Sequence, residues 1–207
     1  MITADALRAR FAGTCLPEDP LAVAEPPGLL RWPRKMREQL EAPLTPAGVL
    51  VPVVERATGL SVLLTQRAAH LRAHAAQASF PGGRMEAQDV DVGATALRET
   101  HEEIGVAPDR VEVIGCLSTL PTITGFAVTP IVGLLEGGFE LTIDRSEVEY
   151  TFELPLDFLL DESNDRLVER EWEGARFRLR EFHYEGERVW GATAYMLQAF
   201  REFVLKQ

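Results

Sequence analysis

Residues 80–106 constrain this chain more than any other stretch: Phe80-Pro81-Gly82-Gly83, a polar loop, then Ala96-Leu97-Arg98-Glu99-Thr100-His101-Glu102-Glu103-Ile104-Gly105-Val106. The second part reads as a helix over 94–104, stopped by Gly105 in the position where a left-handed residue ends helices. On such a helix Glu99 and Glu103 are four apart and Glu102 is three from Glu99, so all three carboxylates can converge on one side. Like charges at this spacing cost roughly a few tenths of a kcal/mol per pair. They also lie near the helix C-terminus, where the macrodipole disfavours negative charge. Nothing local offsets them except Arg98, which can pair with Glu102. By spacing alone, such a trio is more often a solvated face than a site. A bound cation would nevertheless stabilise it, and Mg²⁺ or Mn²⁺ fits, as a hard ion that takes carboxylate oxygens and keeps positions open for water and phosphate. Such an ion would offset a substrate's charge, polarise a phosphoryl oxygen and lower the pKa of an attacking water. The pair Gly82-Gly83 lets backbone approach a ligand closely.

Strand signals surround this helix. Ala47–Val54 and Leu60–Thr65 are rich in β-branched residues and flank a turn around Ala57-Thr58-Gly59, which predicts a hairpin. Val111–Leu117 and Phe126–Leu135 read as further strands, and Phe152–Leu154 as a short apolar piece ended by Pro155. Leu167–Leu179 is ambiguous, because Phe177 and Leu179 alternate with Arg176, Arg178 and Arg180. Residues 192–204 carry Met196, Phe200 and Phe203 at helical spacing and should dock on the core. Upstream, Thr3 can cap a helix over 2–13 that presents Leu7 and Phe11. Prolines 17, 20, 26, 27 and 33 then mark an irregular arm, followed by a short helix over 34–41. The division expected is an arm over 1–45 and a catalytic domain over 46–207, of α+β (mixed α/β) class, with a mixed sheet between helices. Leu7, Phe11, Leu29, Leu30 and Trp32 would be exposed unless the arm packs on the domain or on a second protomer, so a homodimer is one expectation.

The net charge of −11 argues against a nucleic-acid partner, which usually calls for a basic patch. A phosphate substrate then needs local compensation from arginines, a helix N-terminus or a divalent cation. No apolar run approaches the roughly 18 residues of a membrane span, and Asp5, Arg8 and Arg10 interrupt any signal pattern. Cys15 and Cys116 have no metal-ligand spacing and read as idle thiols of a reduced compartment rather than a disulfide. The expected location is the cytoplasm.

The order glycine pair, loop, Arg98-Glu99, two spacers, Glu102-Glu103, one spacer, Gly105-Val106 resembles the Nudix box, G-x5-E-x7-R-E-U-x-E-E-x-G-U with U aliphatic. Thr100 stands at the first U. The N-terminal half departs by one residue: strict spacing would put the glycine at Arg84 and the acid at Val90. A one-residue longer loop places them at Gly83 and Asp89. Before the box, Leu63-Leu64-Thr65-Gln66-Arg67-Ala68, Arg72, Ala76 and Phe80-Pro81-Gly82-Gly83 resemble L-L-T-x-R-S-x3-R-x3-G-x3-F-P-G-G, the signature of the coenzyme A diphosphatase branch. Ala68 replaces its serine and Ala76 its glycine. Leu120-Pro121-Thr122-Ile123-Thr124-Gly125-Phe126 and Trp190-Gly191-Ala192-Thr193-Ala194 are also similar to that branch, so the resemblance runs from about 47 to 200.

The resemblance implies metal-dependent hydrolysis of the diphosphate of coenzyme A or its thioesters, giving 3′,5′-ADP and a 4′-phosphopantetheine product. It implies Glu99 and Glu103 as metal ligands with Glu102 completing the site, and Arg98 orienting the cluster. The upstream segment is expected to be a strand ending at Thr65 and a loop carrying Arg67 and Arg72 towards the box. Those arginines either hold phosphates bidentately, beside Gly82 and Gly83, or face solvent or pair with a structural carboxylate. Glu147 is a candidate general base from a distant loop. His74 and His101 read as surface or structural residues. Rival readings are a Nudix hydrolase of ADP-ribose or a dinucleotide, a Nudix ligand sensor without catalysis, and an isomerase of prenyl diphosphates. The intact glutamate set disfavours the sensor, and the upstream motif disfavours the isomerase.

Overall fold

Two apolar runs joined at Ala57-Thr58 pair as the antiparallel hairpin at the centre of the molecule. The computed structural model describes residues 2–22, 33–40, 42–71, 76–172 and 174–206. Helices α1 (Ala4–Phe11) and α2 (Arg34–Leu40) precede β1 (Thr45–Arg56) and β2 (Gly59–Arg67). Short strands β3 (Ala78–Ser79) and β4 (Gly82–Arg84) lead into α3 (Val92–Ile104). Then follow β5 (Val111–Cys116), β6 (Leu120–Pro121), β7 (Phe126–Leu135), β8 (Val148–Pro155) and α4 (Leu156–Leu160). A second sheet of β9 (Asp165–Trp172), β10 (Ala175–Tyr184) and β11 (Glu187–Trp190) runs into α5 (Gly191–Leu205).

The larger sheet has the order β3-β2-β1-β7-β5, with β8 on β2, β4 on β1 and β6 on β7. Strands β1 and β7 are parallel from Thr45↔Phe126 to Val54↔Leu135, whereas β1–β2 and β2–β8 are antiparallel, so the sheet is mixed. Side-chain alternation divides its residues between two cores. Leu50, Val54, Leu63, Ile131 and Leu135 pack with Val92, Ala96 and Ile104 of α3. Val51, Val53, Val62, Leu64, Val132 and Leu134 face the other way, towards α1, α4 and α5. The class is therefore α+β with a mixed sheet between helices.

Thr3 caps α1 by accepting the Ala6 N–H at 3.2 Å. Leu7 and Phe11 are buried, the Phe11 ring stacks on Phe203 with centroids 4.4 Å apart, and Arg8 pairs with Glu112 at 2.7 Å. This helix thus lies on the chain's own domain; Leu29, Leu30 and Trp32 are outside the described residues. Cys15 and Cys116 are free thiols.

Three segments differ from expectation. β2 continues two residues past Thr65, with a register shift against β8 at Gln66/Arg67, so Arg67 sits on a strand end rather than in a loop. The piece expected over Phe152–Leu154 extends to Val148–Pro155, because exposed Glu149 and Tyr150 mask its N-terminal half. The ambiguous Leu167–Leu179 is neither helix nor loop: it belongs to an antiparallel pair with Trp172 opposite Ala175.

On β10, Glu181 is 1% exposed and held by Arg188 at 2.5 Å, Arg170 at 2.7 Å and His183 at 3.0 Å. The Arg188 hydrogen bond, aided by His183 and Arg170, draws its carboxyl down to about 2 despite burial. A depressed carboxylate pKa contributes stability present above the unfolded value and lost as pH falls through the folded one. Glu181→Gln is therefore expected to cost about 1–3 kcal/mol at pH 7, a figure discounted because Arg170 and Arg188 are partly solvated. The gap to the parent should close between the ordinary value of 4.5 and about 2. Urea unfolding at a series of pH values checks this, and a pH-independent gap contradicts it.

Candidate active site

The site is built where α3 crosses β1 and β4. Gly48 of β1 faces the helix so closely that a Cβ there would lie 2.0 Å from the Val92 carbonyl oxygen and 3.2 Å from the Ala96 nitrogen. Gly83, opposite Gly48 in the β1–β4 pairing, allows a second close approach: a Cβ would meet the Glu99 carboxylate at 2.5–2.6 Å. Asp91 caps α3 through the Ala94 N–H at 2.8 Å, and Gly105 ends it at φ 74°. Thr100 fills the position where the box has an aliphatic residue; it is fully buried, and its hydroxyl donates to the Ala96 carbonyl at 2.6 Å.

Asp89 is the acid of the longer loop, and its role is now visible. Its two oxygens accept from Arg98 Nε and Nη2, both at 2.9 Å, and it also accepts from the Glu86 N–H at 2.9 Å and the Thr95 hydroxyl at 3.0 Å. The Arg98 guanidinium holds its carboxyl well below the usual range. Arg98 in turn donates to Glu99 at 2.9 Å and Glu102 at 3.0 Å. Asp89 thus fixes the arginine that orients two box glutamates. Asp89→Asn is expected to lower kcat/KM about 10–100-fold and to raise the cation concentration needed for half-maximal activity. Steady-state kinetics over a cation titration reads both, and parent-like values would reject this role.

The three glutamates are not equivalent. The Glu103 side chain is 3% exposed, that of Glu99 15% and that of Glu102 58%. Among the described residues no three His, Cys, Asp or Glu side chains are gathered to hold an ion as they stand. Arg98 is also not the sole local cation, because Arg67 Nη1 lies 3.7 Å from Glu103 Oε1. Burial pushes the Glu103 carboxyl up to about 8, with Glu147 and Glu99 adding to the shift and Arg67 and the Gly82 N–H opposing it. Burial raises Glu99 as well, against Arg98. Glu103 Oε2 and Arg67 Nε are buried without a hydrogen-bond partner.

Backbone hydrogen bonds hold Glu147 near this pair. Its carbonyl accepts from Ala68 N–H at 2.8 Å and its N–H donates to Asp144 at 3.1 Å, while the Asp144 N–H donates to the Glu103 carbonyl at 2.9 Å. The loop that carries Glu147 is thus tied to the end of α3. Ala76 takes a φ of 54°, a left-handed conformation that favours glycine. Arg72 and His74 lie outside the described residues, and His101 is exposed.

A cleft of about 590 Å³ opens here, with Arg67, Gly82, Gly83, Arg84, Glu99 and Glu147 on its walls. The rest of the lining is mostly apolar, including Phe80, Phe126, Phe177, Leu179 and Trp190, joined by Leu120–Ile123. Thr193 anchors the α5 side by donating to the Ala78 carbonyl at 3.0 Å. Sequence reasoning missed Gly48, whose signal is only a glycine inside a strand, and Met36 and Leu40, two lining residues from α2. Their signal was the four-residue spacing of two apolar side chains.

Comparison with known proteins decides the family. The NUDIX domain model matches residues 44–198. The chain is a Nudix hydrolase. The proteins called "Uncharacterized Nudix hydrolase NudL" from Salmonella paratyphi B and Salmonella newport are each 41% identical over 152 residues, covering 73% of this chain and 79% of theirs. The fold is shared with a Nudix hydrolase from M. smegmatis, RenU, with a TM-score of 0.53, 17% identity and coverage of 76% of this chain and 84% of that one.

Nudix enzymes generally use divalent cations, and the residues present fit one. A buried carboxylate oxygen without a partner, in the repulsive field of Glu99 and Glu147, is a donor set of hard oxygens whose mutual repulsion a divalent ion would relieve.

Proposed function

We propose that this Nudix hydrolase cleaves a diphosphate linkage in coenzyme A or its thioesters, with Mg²⁺ or Mn²⁺ held by Glu99 and Glu103 and completed by Glu102. The observation that carries the reading is the orphaned Glu103 oxygen, whose charged neighbours Glu99, Glu147 and Arg67 line a mostly apolar cleft. The coenzyme A choice rests on the segment from Leu63 to Gly83 and on the Leu120 and Trp190 segments; Arg67, Phe80, Gly82, Gly83, Leu120 and Trp190 among them line that cleft.

When bound, the cation would neutralise phosphate charge and polarise a phosphoryl oxygen. The remaining work falls to side chains. Asp89 fixes Arg98, and Arg98 orients Glu99 and Glu102. Arg67, which lines the cleft and whose Nη1 pairs only weakly with Glu103 at 3.7 Å, holds a phosphate once that pairing is released. Gly82 and Gly83 line the cleft and let the chain pass tightly against β1 and the Glu99 carboxylate, where a side chain would collide. Glu147 accepts the proton of the attacking water; the water oxygen bonds to phosphorus as the bridging P–O bond breaks. The products are 3′,5′-ADP and 4′-phosphopantetheine or its acyl form.

A second reading, another nucleoside-diphosphate derivative such as ADP-ribose or a dinucleotide, is kept open by Ala68 and Ala76, which depart from the coenzyme A signature. Arg72 is proposed as a further phosphate contact. We also place the enzyme in the cytoplasm, with residues 1–45 as an arm on the 46–207 domain or on a second protomer; no helix among the described residues is long and apolar enough to cross a membrane. Product analysis with coenzyme A, ADP-ribose and a dinucleotide, with and without Mg²⁺ or Mn²⁺, tests the reading. Cation-dependent 3′,5′-ADP supports it, cleavage of another member replaces the branch, and no cleavage of any diphosphate returns the chain to a sensor.

A further inference from the structure

The chain has two cysteines, 101 positions apart, and the fold sets them against each other. Cys116 ends β5, the last strand of the larger sheet, and its thiol donates to the Cys15 carbonyl oxygen at 3.0 Å. The surrounding bonds hold this contact in place. The Cys116 N–H donates to the Thr14 hydroxyl at 3.1 Å, and that hydroxyl donates to the Phe11 carbonyl at 2.9 Å. Gly115 lets the segment after α1 lie directly on the strand, because a Cβ there would collide with Thr14 Oγ1 and press on the Phe11 Cβ at 3.0 Å. One residue further on, Leu16 lies against Gly93 in the first turn of α3. Both thiols are free as they stand, but they differ in access. Cys15 is exposed, whereas Cys116 is 7% exposed; burial pushes its thiol up, and Cys15 adds to the shift.

We propose that Cys15 and Cys116 are a thiol–disulfide pair: a low-molecular-weight disulfide oxidises them to a bridge that fastens the N-terminal segment to β5, beside the catalytic helix. The accessible Cys15 thiolate attacks the disulfide RSSR, forming a mixed Cys15–S–SR bond and releasing one RS⁻. Cys116 then loses its proton, and its sulfur attacks the Cys15 sulfur, forming the bridge and expelling the second RS⁻. The two thiol protons end on the two RS⁻ groups, so RSSR is reduced to two RSH while the protein loses two electrons. A bridge needs Cα atoms roughly 4.4–6.8 Å apart. Bond lengths and the sulfur–carbonyl contact cap the present separation at about 8 Å. Cys15 lies outside any helix or strand, so its backbone can close the difference. In a reducing compartment the bridge is transient and forms as the disulfide concentration rises. Because it closes a long loop, it constrains the unfolded chain and raises the melting temperature by roughly 4–15 °C.

The test incubates the full chain with glutathione disulfide, removes the reagent, and follows intact mass, non-reducing peptide mapping and thermal unfolding. The expected product is monomeric and lighter than the reduced chain by two hydrogens, with the Cys15 and Cys116 peptides joined. It should melt at least about 4 °C higher, and dithiothreitol should reverse every change. Cys116→Ala should stop at the mixed disulfide on Cys15. Cys15→Ser, a change at an exposed position, should show neither bridge nor rise in melting temperature, and it serves as the control where Cys116→Ala does not fold. A parent that keeps both thiols free, or that stops at a mixed disulfide on Cys15, overturns the proposal. So does a Cys15 link between two chains, or a bridge that leaves the melting temperature where it was.

Discussion

Glu103→Gln is expected to reduce diphosphate hydrolysis by roughly three orders of magnitude or more while raising the melting temperature of the cation-free protein. Lewis-acid stabilisation by a divalent ion is worth several kcal/mol, and about 4 kcal/mol corresponds to roughly 10³-fold in rate. The amide keeps the volume of the side chain but not the second anionic oxygen that such an ion needs. The stability effect has the opposite sign for a stated reason. Glu103 is 2% exposed, its Oε2 has no partner, and burial, Glu147 and Glu99 all work against its charge. Arg67 offsets only part of this from 3.7 Å. Replacing a buried, poorly paired carboxylate with a neutral group of the same shape should stabilise by about 1–3 kcal/mol, or roughly 3–10 °C for a chain of this size. Calorimetry in chelator together with an activity assay reads both effects. A variant that is less stable yet active would make Glu103 a structural partner of Arg67 instead.

Gly48→Ala is expected to destabilise the fold by about 3–5 kcal/mol, lowering the melting temperature by roughly 10 °C, and to remove activity with it. The added Cβ meets backbone, the Val92 carbonyl at 2.0 Å and the Ala96 nitrogen at 3.2 Å, which no rotamer change relieves. Helix α3 must lift from β1, opening the core of Val92, Ala96 and Leu50 and displacing Glu99 and Glu103 together. Gly83→Ala separates the two effects. There the Cβ meets the end of the Glu99 side chain, which can swing aside, so stability should change little while Glu99 loses its position. Thermal unfolding of the two variants side by side checks the contrast; equal losses of stability would show that α3 is not seated by Gly48.

Where periodicity was clean, the sequence was sufficient. The β1–β2 hairpin, α3 and the stop at Gly105 follow from β-branched runs, helical spacing and one left-handed residue. Leu167–Leu179 was not legible, because arginines alternate with apolar residues on a strand pair whose cross-strand partners are acidic, as Glu169 is to Arg178. In the site, residue order pointed to Glu99, Glu102 and Glu103 but not to how deeply each is buried, since charge alone reads as exposure and Glu103 is buried. Asp89 was ambiguous because a one-residue insertion hides its pairing with Arg98, which depends on how the loop folds back. Arg67 was placed in a loop because Gln66 and Arg67 lack the apolar character of the strand they extend. The contribution of α2 was out of reach, since a pair of apolar residues four apart does not say which wall it will cover.

The central claim is that the inward end of α3 holds a divalent cation for diphosphate hydrolysis. Mn²⁺ titration followed by electron paramagnetic resonance, without substrate, on the full chain and on Glu103→Gln tests it most directly. The account predicts saturable Mn²⁺ binding by the parent that is weakened at least tenfold in the variant. Equal binding by both proteins, or none by the parent, would contradict it.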